Sequence, residues 1–510
     1  MTKATQPLIT ERPIIWSIAG SDCSGGAGIQ ADIKTGHALG CEVCTIITAN
    51  TVQNSQTLTA IHPVEVTVLQ AQFDCLLLDK PPKVIKIGLI ANNAQLQWLI
   101  ERLTHLKQQP NQAGLLILLD PVMKASVGKA LVAEAIEQAL LDKLIGLTDV
   151  ITPNLPEAVR LAQPPEQTHT LETLANRIAQ KGCPTVVITG GHSQTPNNVI
   201  DHCFCGDLIY KLSSPRIETS YGHGSGCTFS TAYASFLAHG YLDRDAFIQS
   251  KAFINKAFQL SANHQNYYGA LIQPSWPVDK NGYPQVVSCD GLALQSGLAF
   301  PSLGTTQLGL YPVIDSIDWL KKLLPMGLEI IQLRLKYGSQ KELSEHIQQA
   351  VELAKAYPKT RLFINDHWQL AIQFGAYGVH LGQEDIQAAD LKAIHQAGLR
   401  LGISTHGSYE FILAEQAQPS YLAVGAVFAT QTKDMTGQIQ GVNNLQKLVN
   451  LNGTIPLVAI GGITLENATD VIKTGVNSIA VVTAITQASK PEKVVQTFQR
   501  LFSKVVNTRD

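Results

Sequence analysis

Residues 361–385, RLFINDHWQLAIQFGAYGVHLGQED, hold one whole repeat of the pattern that decides the fold. An apolar run, RLFIN, ends in Asn365 and Asp366, a helical stretch follows, and a second run, YGVHL, leads to Gln383 and Asp385. The rhythm extends in both directions. QLGLYPVI and LEIIQLRL come before it, while LRLGIS, YLAVGAV, IPLVAIGG and SIAVVT come after, with helical stretches such as Ser339 to Ala356 between. Eight strands alternating with helices predict an α/β chain ending in a (β/α)8 barrel.

In a barrel of this kind the loops after the strands converge on one mouth, where ligands bind, while the other face serves stability. Nearly all the unusual polar residues of this half fall at those strand ends. Strand two ends in Gln332, Arg334 and Lys336, strand three in Asn365 and Asp366, and strand four leads to Gln383 and Asp385. Ser404 follows strand five, Thr430, Thr432 and Lys433 strand six, Gly461 and Gly462 strand seven, and Thr483 strand eight. Carboxylates on neighbouring loops suit Mg²⁺, which takes oxygen ligands and shares them with substrate phosphates. Arg334, Lys336 and Lys433 supply charge for phosphate oxygens, and the glycine pair offers backbone N–H groups to a second phosphate. The predicted ligands are a metal-bound diphosphate and a separate monophosphate.

In this order QLRLK, ND, GQED, GIS, TQTK and AIGGI resemble the thiamine-phosphate synthase family over residues 307–503. The resemblance implies condensation of hydroxymethylpyrimidine diphosphate with a thiazole phosphate, releasing pyrophosphate and forming thiamine monophosphate. It implies Mg²⁺ on Asp366 and Asp385, and the diphosphate on Gln332, Arg334, Lys336, Asn365 and Lys433. It places Ser404 on the pyrimidine, and Thr430, Thr432, Gly462 and Thr483 around the thiazole phosphate. Pyrophosphate leaving a benzylic-type carbon needs its growing negative charge stabilised, which metal and cations supply. The thiazole nitrogen attacks with its own lone pair and needs no general base. A single charged residue at a strand end is as often solvated surface as functional; the joint occurrence of these residues carries the reading. His367, His380 and His406 are expected to pack or to lie at the surface.

In the N-terminal half, SIAGSDCSGGAGIQADIK passes from a strand-like run into a glycine-rich loop and a helical segment. The loop matches neither GxxxxGKS/T nor GxGxxG, and by itself reads equally well as a tight turn. YGHGSGCTFSTAYASFLAHG opens an Ala-rich helix with glycines, which suits either an anion hole or ordinary capping. Between them stand DPVM at Asp120, TPNLPEA with Asn154 and Glu157, and TGGH at Thr189. The β-like runs VIKIG, LLILLD, VIT and TVVIT predict a parallel sheet between helices, a three-layer α/β/α domain.

The ordered set resembles the hydroxymethylpyrimidine and phosphomethylpyrimidine kinases of the ribokinase-like superfamily over residues 12–265. That resemblance implies ATP as co-substrate, with Asp120, Asn154, Glu157 and Thr189 on the ATP and Mg²⁺ side and Gly20, Asp32 and Gln53 around the pyrimidine. Thr189 stands where relatives often carry Lys, so a charged contact is not expected there. Gly224, Gly226 and Cys227 would form the anion hole. A Cys at a helix N-terminus is expected to have a lowered pKa and to be able to accept the substrate's proton, although loose phosphoryl transfer demands little of a base.

The proposed domains are thus a kinase at 12–265, a Pro- and Gly-rich linker at 266–305 and a synthase at 306–505. By these resemblances the product of the first would be the substrate of the second. Other readings are a kinase for pyridoxal-type alcohols joined to a thiazole tautomerase, and a sensor that binds without turnover. The diphosphate-binding residues oppose the tautomerase, which has no diphosphate to hold. The 510 residues carry 38 basic and 40 acidic side chains, a formal net charge of -2 that argues against a nucleic-acid partner. Nine cysteines without framework spacing, including Cys41 and Cys44 in a strand-like run, fit a reducing cytosol. Residues 1–12 lack the apolar core of a signal peptide, and no run is expected to span a membrane. Association through the kinase domain into a homo-oligomer stays open.

Overall fold

The computed structural model describes residues 12–54, 57–110, 114–122, 136–164, 169–192, 197–262, 269–287, 298–430 and 439–506. The chain divides into two compact units, Met1–Gly291 and Leu292–Asp510.

The first unit is built on one mixed sheet. Its strands are β1 (Ile14–Asp22), β2 (Glu42–Gln53), β3 (Leu58–Pro63), β4 (Val84–Ile87), β5 (Leu116–Leu119), β6 (Val150–Ile151), β7 (Thr185–Ile188), β8 (Asn198–Cys205), β9 (Leu208–Pro215) and β10 (Gln285–Val287). They lie in the order β10-β9-β8-β7-β6-β5-β4-β1-β2-β3. The centre, from β2 across β1, β4, β5 and β6 to β7, is parallel as expected. Both margins are antiparallel: β3 folds back on β2, and β8, β9 and β10 extend from β7. A two-residue turn at Gly206 and Asp207, with φ of 57° at Gly206, joins β8 to β9. The central strands are mostly apolar and buried, with Ser17 of β1 and Lys86 of β4 as buried polar exceptions. Trp16, Ile18, Ile85, Ile87, Ile117 and Val186 meet the helix residues Leu96, Leu99, Leu103, Leu161 and Leu174 in one buried core.

The sheet reverses direction of growth at β1 and β4, and the strand ends there open a crevice, the place where open α/β sheets take ligands. Gly20, Gln53, Asp120 and Thr189 all sit at or just beyond such ends.

The second unit is a closed parallel barrel. Its strands are β11 (Gly309–Ile314), β12 (Ile330–Leu333), β13 (Arg361–Asn365), β14 (Gly378–Leu381), β15 (Arg400–Thr405), β16 (Tyr421–Val424), β17 (Leu457–Ile460) and β18 (Ser478–Val481), with β18 pairing back to β11. Tyr311, Val313, Ile330, Phe363, Tyr421, Ala423, Val458 and Ala480 form its packed interior. Gly378 and Gly402 make that packing possible: a Cβ on either would collide with the rings of Phe363 and Tyr421, respectively.

Much of the stretch expected as a linker is built into one unit or the other. In the first, Leu271 is buried, Trp276 packs on Phe236, and β10 completes the sheet. In the second, Leu303 joins the barrel core, while the carbonyls of Leu303 and Pro301 accept from Arg361 and Ser420 near the N-terminal ends of the strands. Proline and glycine reported a lack of regular elements here, but side chains such as Trp276 and Phe300 still had apolar surface to bury.

Candidate active sites

A cavity of about 740 Å³ opens at the strand ends of the first unit, and Gly20, Gln53, Asp120, Asn154, Glu157, Thr189, Gly224, Gly226 and Cys227 all line it. Asn154 and Glu157 cap the helix Leu155–Ala162 reciprocally: the Asn154 side chain accepts from the Glu157 N–H, and the Glu157 carboxylate accepts from the Asn154 N–H. This capping box fixes the two side chains at the rim. Also in the cavity lining, the helix Ser225–Ala238 starts at Gly224, whose φ of 81° and closeness to the Gly26 carbonyl leave no room for a Cβ. At Gly226 a Cβ would meet open space.

Two expectations are corrected here. Asp32 does not line the cavity. It is fully buried, with its carboxylate taken up by Lys86 at 3.1 Å, by Ser17 at 2.6 Å and by Thr231 at 2.6 Å, which leaves it a structural counter-ion. Cys227 does not show the lowered pKa expected of it. Burial pushes its thiol up to about 12, although the Lys86 ammonium pulls it down, so desolvation outweighs the favourable helix terminus.

Sequence reasoning missed the charges that surround these groups. Lys86 lines the cavity, yet it is fully buried between Asp32 and Asp120, which lies at 3.6 Å. Burial disfavours its charge, but Asp32 and Asp120 more than offset this and hold it above the usual lysine range. Burial also raises Asp120, against the pull of Lys86 and of the hydroxyl of Ser230, which donates at 3.0 Å. Asp201 accepts from the Gly190 N–H and pairs with Lys251 at 2.6 Å, again in the cavity wall.

The glycine-rich loop, for its part, holds an anion that belongs to the protein. The N–H groups of Ser24, Gly26 and Ala27 donate to the Asp22 carboxylate, and His223 Nε2 lies 2.8 Å from it. Burial raises Asp22, but His223, Ser24 and the backbone donors prevail and bring it to about 2. An Asp two residues before a Ser in a glycine-rich stretch is the sequence signal for this turn.

In the second unit the expected residues that are described gather at the C-terminal ends of the strands. Gln332 and Asn365 are buried in β12 and β13, Arg334 and Asp366 follow directly, and Gln383 and Asp385 start the helix Gln383–Ala388. Asp366 adopts φ of 62°, a left-handed turn that Asp tolerates better than most residues, and its N–H donates to the His380 carbonyl. Burial and the adjacent Asp385 push Asp366 up to about 6, with Arg334 and His367 opposing. Two carboxylates in each other's field, with a cation beside them, are a donor set that fits Mg²⁺. Among the described residues no cluster of three or more acidic, His or Cys ligands occurs.

Ser404 sits near the end of β15, its carbonyl held by the Gln383 side chain at 2.6 Å and its hydroxyl 2.8 Å from His380 Nε2. His380 is thus packed in the barrel, as expected, and also bonded to Ser404; burial, with Arg334, pushes it down to about 3, a neutral ring. His406 instead pairs with Glu410 at 2.8 Å. Gly461 and Gly462, at φ of 103° and 63°, close against Ala426, Phe428 and Ala429 of the loop after β16. Lys336 and Thr483 are exposed, and Thr430 is half-buried. Thr432 and Lys433 lie outside the described residues.

The family model for thiamine monophosphate synthase matches residues 310–485, and that for phosphomethylpyrimidine kinase matches residues 22–272. A thiamine-phosphate synthase of Yersinia pestis is 52% identical over 194 residues, covering 38% of this chain and 90% of that protein. The C-terminal half belongs to the thiamine-phosphate synthase family. The crystal structure of a phosphomethylpyrimidine kinase from Clostridium difficile 630 is 30% identical, covering 48% of this chain and 99% of that one, with a TM-score of 0.41. A pyridoxal kinase from Staphylococcus aureus, solved with ADP, is 28% identical over 52% of this chain and 96% of that one, with a TM-score of 0.45. The polypeptide thus joins a phosphomethylpyrimidine kinase domain to a thiamine-phosphate synthase domain, both transferases. Among the described residues no helix is long and apolar enough to cross a membrane.

Proposed function

We propose that the kinase domain phosphorylates hydroxymethylpyrimidine and then its monophosphate with ATP, and that the synthase domain condenses the diphosphate with thiazole phosphate to thiamine monophosphate. The observation that carries this is the union on one chain of two domains of which the first makes what the second consumes.

In the kinase cavity the substrate oxygen attacks the γ-phosphorus of ATP and ADP departs. Gly224, Gly226 and Cys227 offer main-chain N–H groups at the helix start to the transferring phosphoryl group, and Lys86 adds positive charge to that wall. The thiol, held protonated, is not the base; a loose transition state asks for little proton removal before the phosphorus–oxygen bond breaks. Gly20 and Gln53 face the pyrimidine, while Asp120, Asn154, Glu157 and Thr189 stand on the ATP side.

In the barrel the carbon–oxygen bond to the diphosphate breaks and a carbon–nitrogen bond to the thiazole forms. Gln332, Arg334, Lys336, Asn365 and Lys433 bind the diphosphate, and Thr430, Thr432, Gly462 and Thr483 the thiazole phosphate. Asp366 and Asp385 would hold Mg²⁺, which when bound supplies charge to the leaving pyrophosphate.

Mass spectrometry of the purified chain with hydroxymethylpyrimidine, ATP, Mg²⁺ and thiazole phosphate tests the reading. Thiamine monophosphate should follow the mono- and diphosphorylated pyrimidine in time. Diphosphate that accumulates without condensation would remove the barrel assignment; no phosphorylation would remove the kinase assignment.

A further inference from the structure

The hydroxyl of Ser404 ends a hydrogen-bonded row that begins deep in the barrel. Tyr311 Oη lies 2.7 Å from Tyr421 Oη, Tyr421 Oη lies 2.7 Å from His380 Nδ1, and His380 Nε2 lies 2.8 Å from Ser404 Oγ. The three ring residues are buried and fixed by packing: Tyr421 stacks on His380 and meets the rings of Tyr311 and Phe363 edge to face. Gly402 leaves the room that the Tyr421 hydroxyl fills, since a Cβ there would collide with it.

The hydrogens of such a row cannot be placed independently. Each hydroxyl carries one proton, and a neutral imidazole carries one N–H. Among the described residues, Tyr421 is the one hydrogen-bond partner of the Tyr311 hydroxyl. Were Tyr311 the acceptor, its own buried O–H would point at nothing, at a cost of about 1–3 kcal/mol. Tyr311 therefore donates to Tyr421, Tyr421 donates to His380 Nδ1, and the ring hydrogen sits on Nε2, which donates to Ser404 Oγ. A doubly protonated ring would donate from Nε2 as well, so the outcome at Ser404 does not depend on the charge of His380.

We propose that Tyr311, Tyr421 and His380 are positioning residues that make Ser404 an acceptor from His380 and leave its own O–H to donate to the ligand. An aminopyrimidine offers both ring lone pairs and an exocyclic N–H; the row frees the Ser404 O–H to donate to a ring nitrogen. This rests on the reading that Ser404 faces the pyrimidine.

Nitrogen-15 NMR of the full chain labelled at histidine, without ligand, reads the tautomer directly. For His380, Nδ1 is expected bare and Nε2 protonated, the signal being assigned by its loss in His380→Gln or, should that chain not fold, by its shift in Ser404→Ala. The reverse tautomer overturns the proposal. Tyr421→Phe is expected to lower kcat/KM for condensation about tenfold, the worth of one hydrogen bond, while kinase turnover of the same chain persists. Unchanged condensation overturns the proposal too. Should Tyr421→Phe unfold the barrel, Tyr311→Phe takes its place: the Tyr421 hydroxyl then keeps His380 as its partner and still has to donate to it, so an unchanged Nε2-protonated population is expected and the reverse tautomer would contradict the row's direction. Lack of condensation by the unaltered chain would count against the synthase reading alone, because the tautomer is read without substrate.

Discussion

Cys227 drew attention as a proton acceptor and Asp32 as a pyrimidine ligand, and burial argues for other work in both. A thiol pushed up to about 12 stays protonated at neutral pH, so Cys227→Ser should keep kinase turnover within about tenfold, whereas loss of a true general base costs about a hundredfold or more. Steady-state kinase assays separate the two, and the pH–rate profile should show no thiolate inflection below pH 9. Asp32 is the counter-ion of a fully buried lysine. Asp32→Ala should therefore destabilise the first unit by about 3–5 kcal/mol in denaturant unfolding, because it strands Lys86 without its main partner. A rise in KM with unchanged stability would restore the pyrimidine-binding role. Asp22 provides the pH test. Its folded pKa of about 2 lies below the ordinary 3.8, so its stabilisation is full above pH 4 and is lost as pH falls through that window. The difference in unfolding free energy between the unaltered chain and Asp22→Asn should shrink by about 2 kcal/mol from pH 5 to pH 2.

Two helix starts decide the kinase cavity at the level of elements. The capping box ties Asn154 and Glu157 to the helix Leu155–Ala162, so Asn154→Ala should cost about 1 kcal/mol in urea unfolding in addition to any loss of ATP affinity. The NxxE spacing was legible in sequence, but whether it served a cap or a ligand was not; the structure shows the cap made and the pair still at the cavity. In the barrel, the strand ends were readable because β-branched runs stop abruptly at polar residues. The antiparallel margins of the sheet were not read, since Asn198–Pro215 carries His and Asp among its apolar residues and lacks the clean runs of the centre. Its hairpin signal was the Gly206–Asp207 turn.

The whole molecule carries two sites on separate units, and each should fail alone. Asp366→Ala should abolish condensation and leave kinase turnover, while Gly226→Asp should do the reverse by putting a carboxylate into the anion hole. Open space at Gly226 makes the second substitution a test of charge and not of collision. Coupled assays on both variants check this, and loss of both activities in either one would sink the two-site scheme.

Periodicity and strand-end chemistry are local properties, so the sequence alone determined a barrel, a parallel α/β sheet, and the order of polar residues around each mouth. No local pattern contains the distant groups that a buried side chain meets. Asp32 finds Lys86 and Thr231, and Ser404 finds His380, Tyr421 and through it Tyr311, only after strands far apart in sequence are brought side by side. Protonation, charge and proton direction depend on desolvation and on those partners, so the tertiary structure alone decided them.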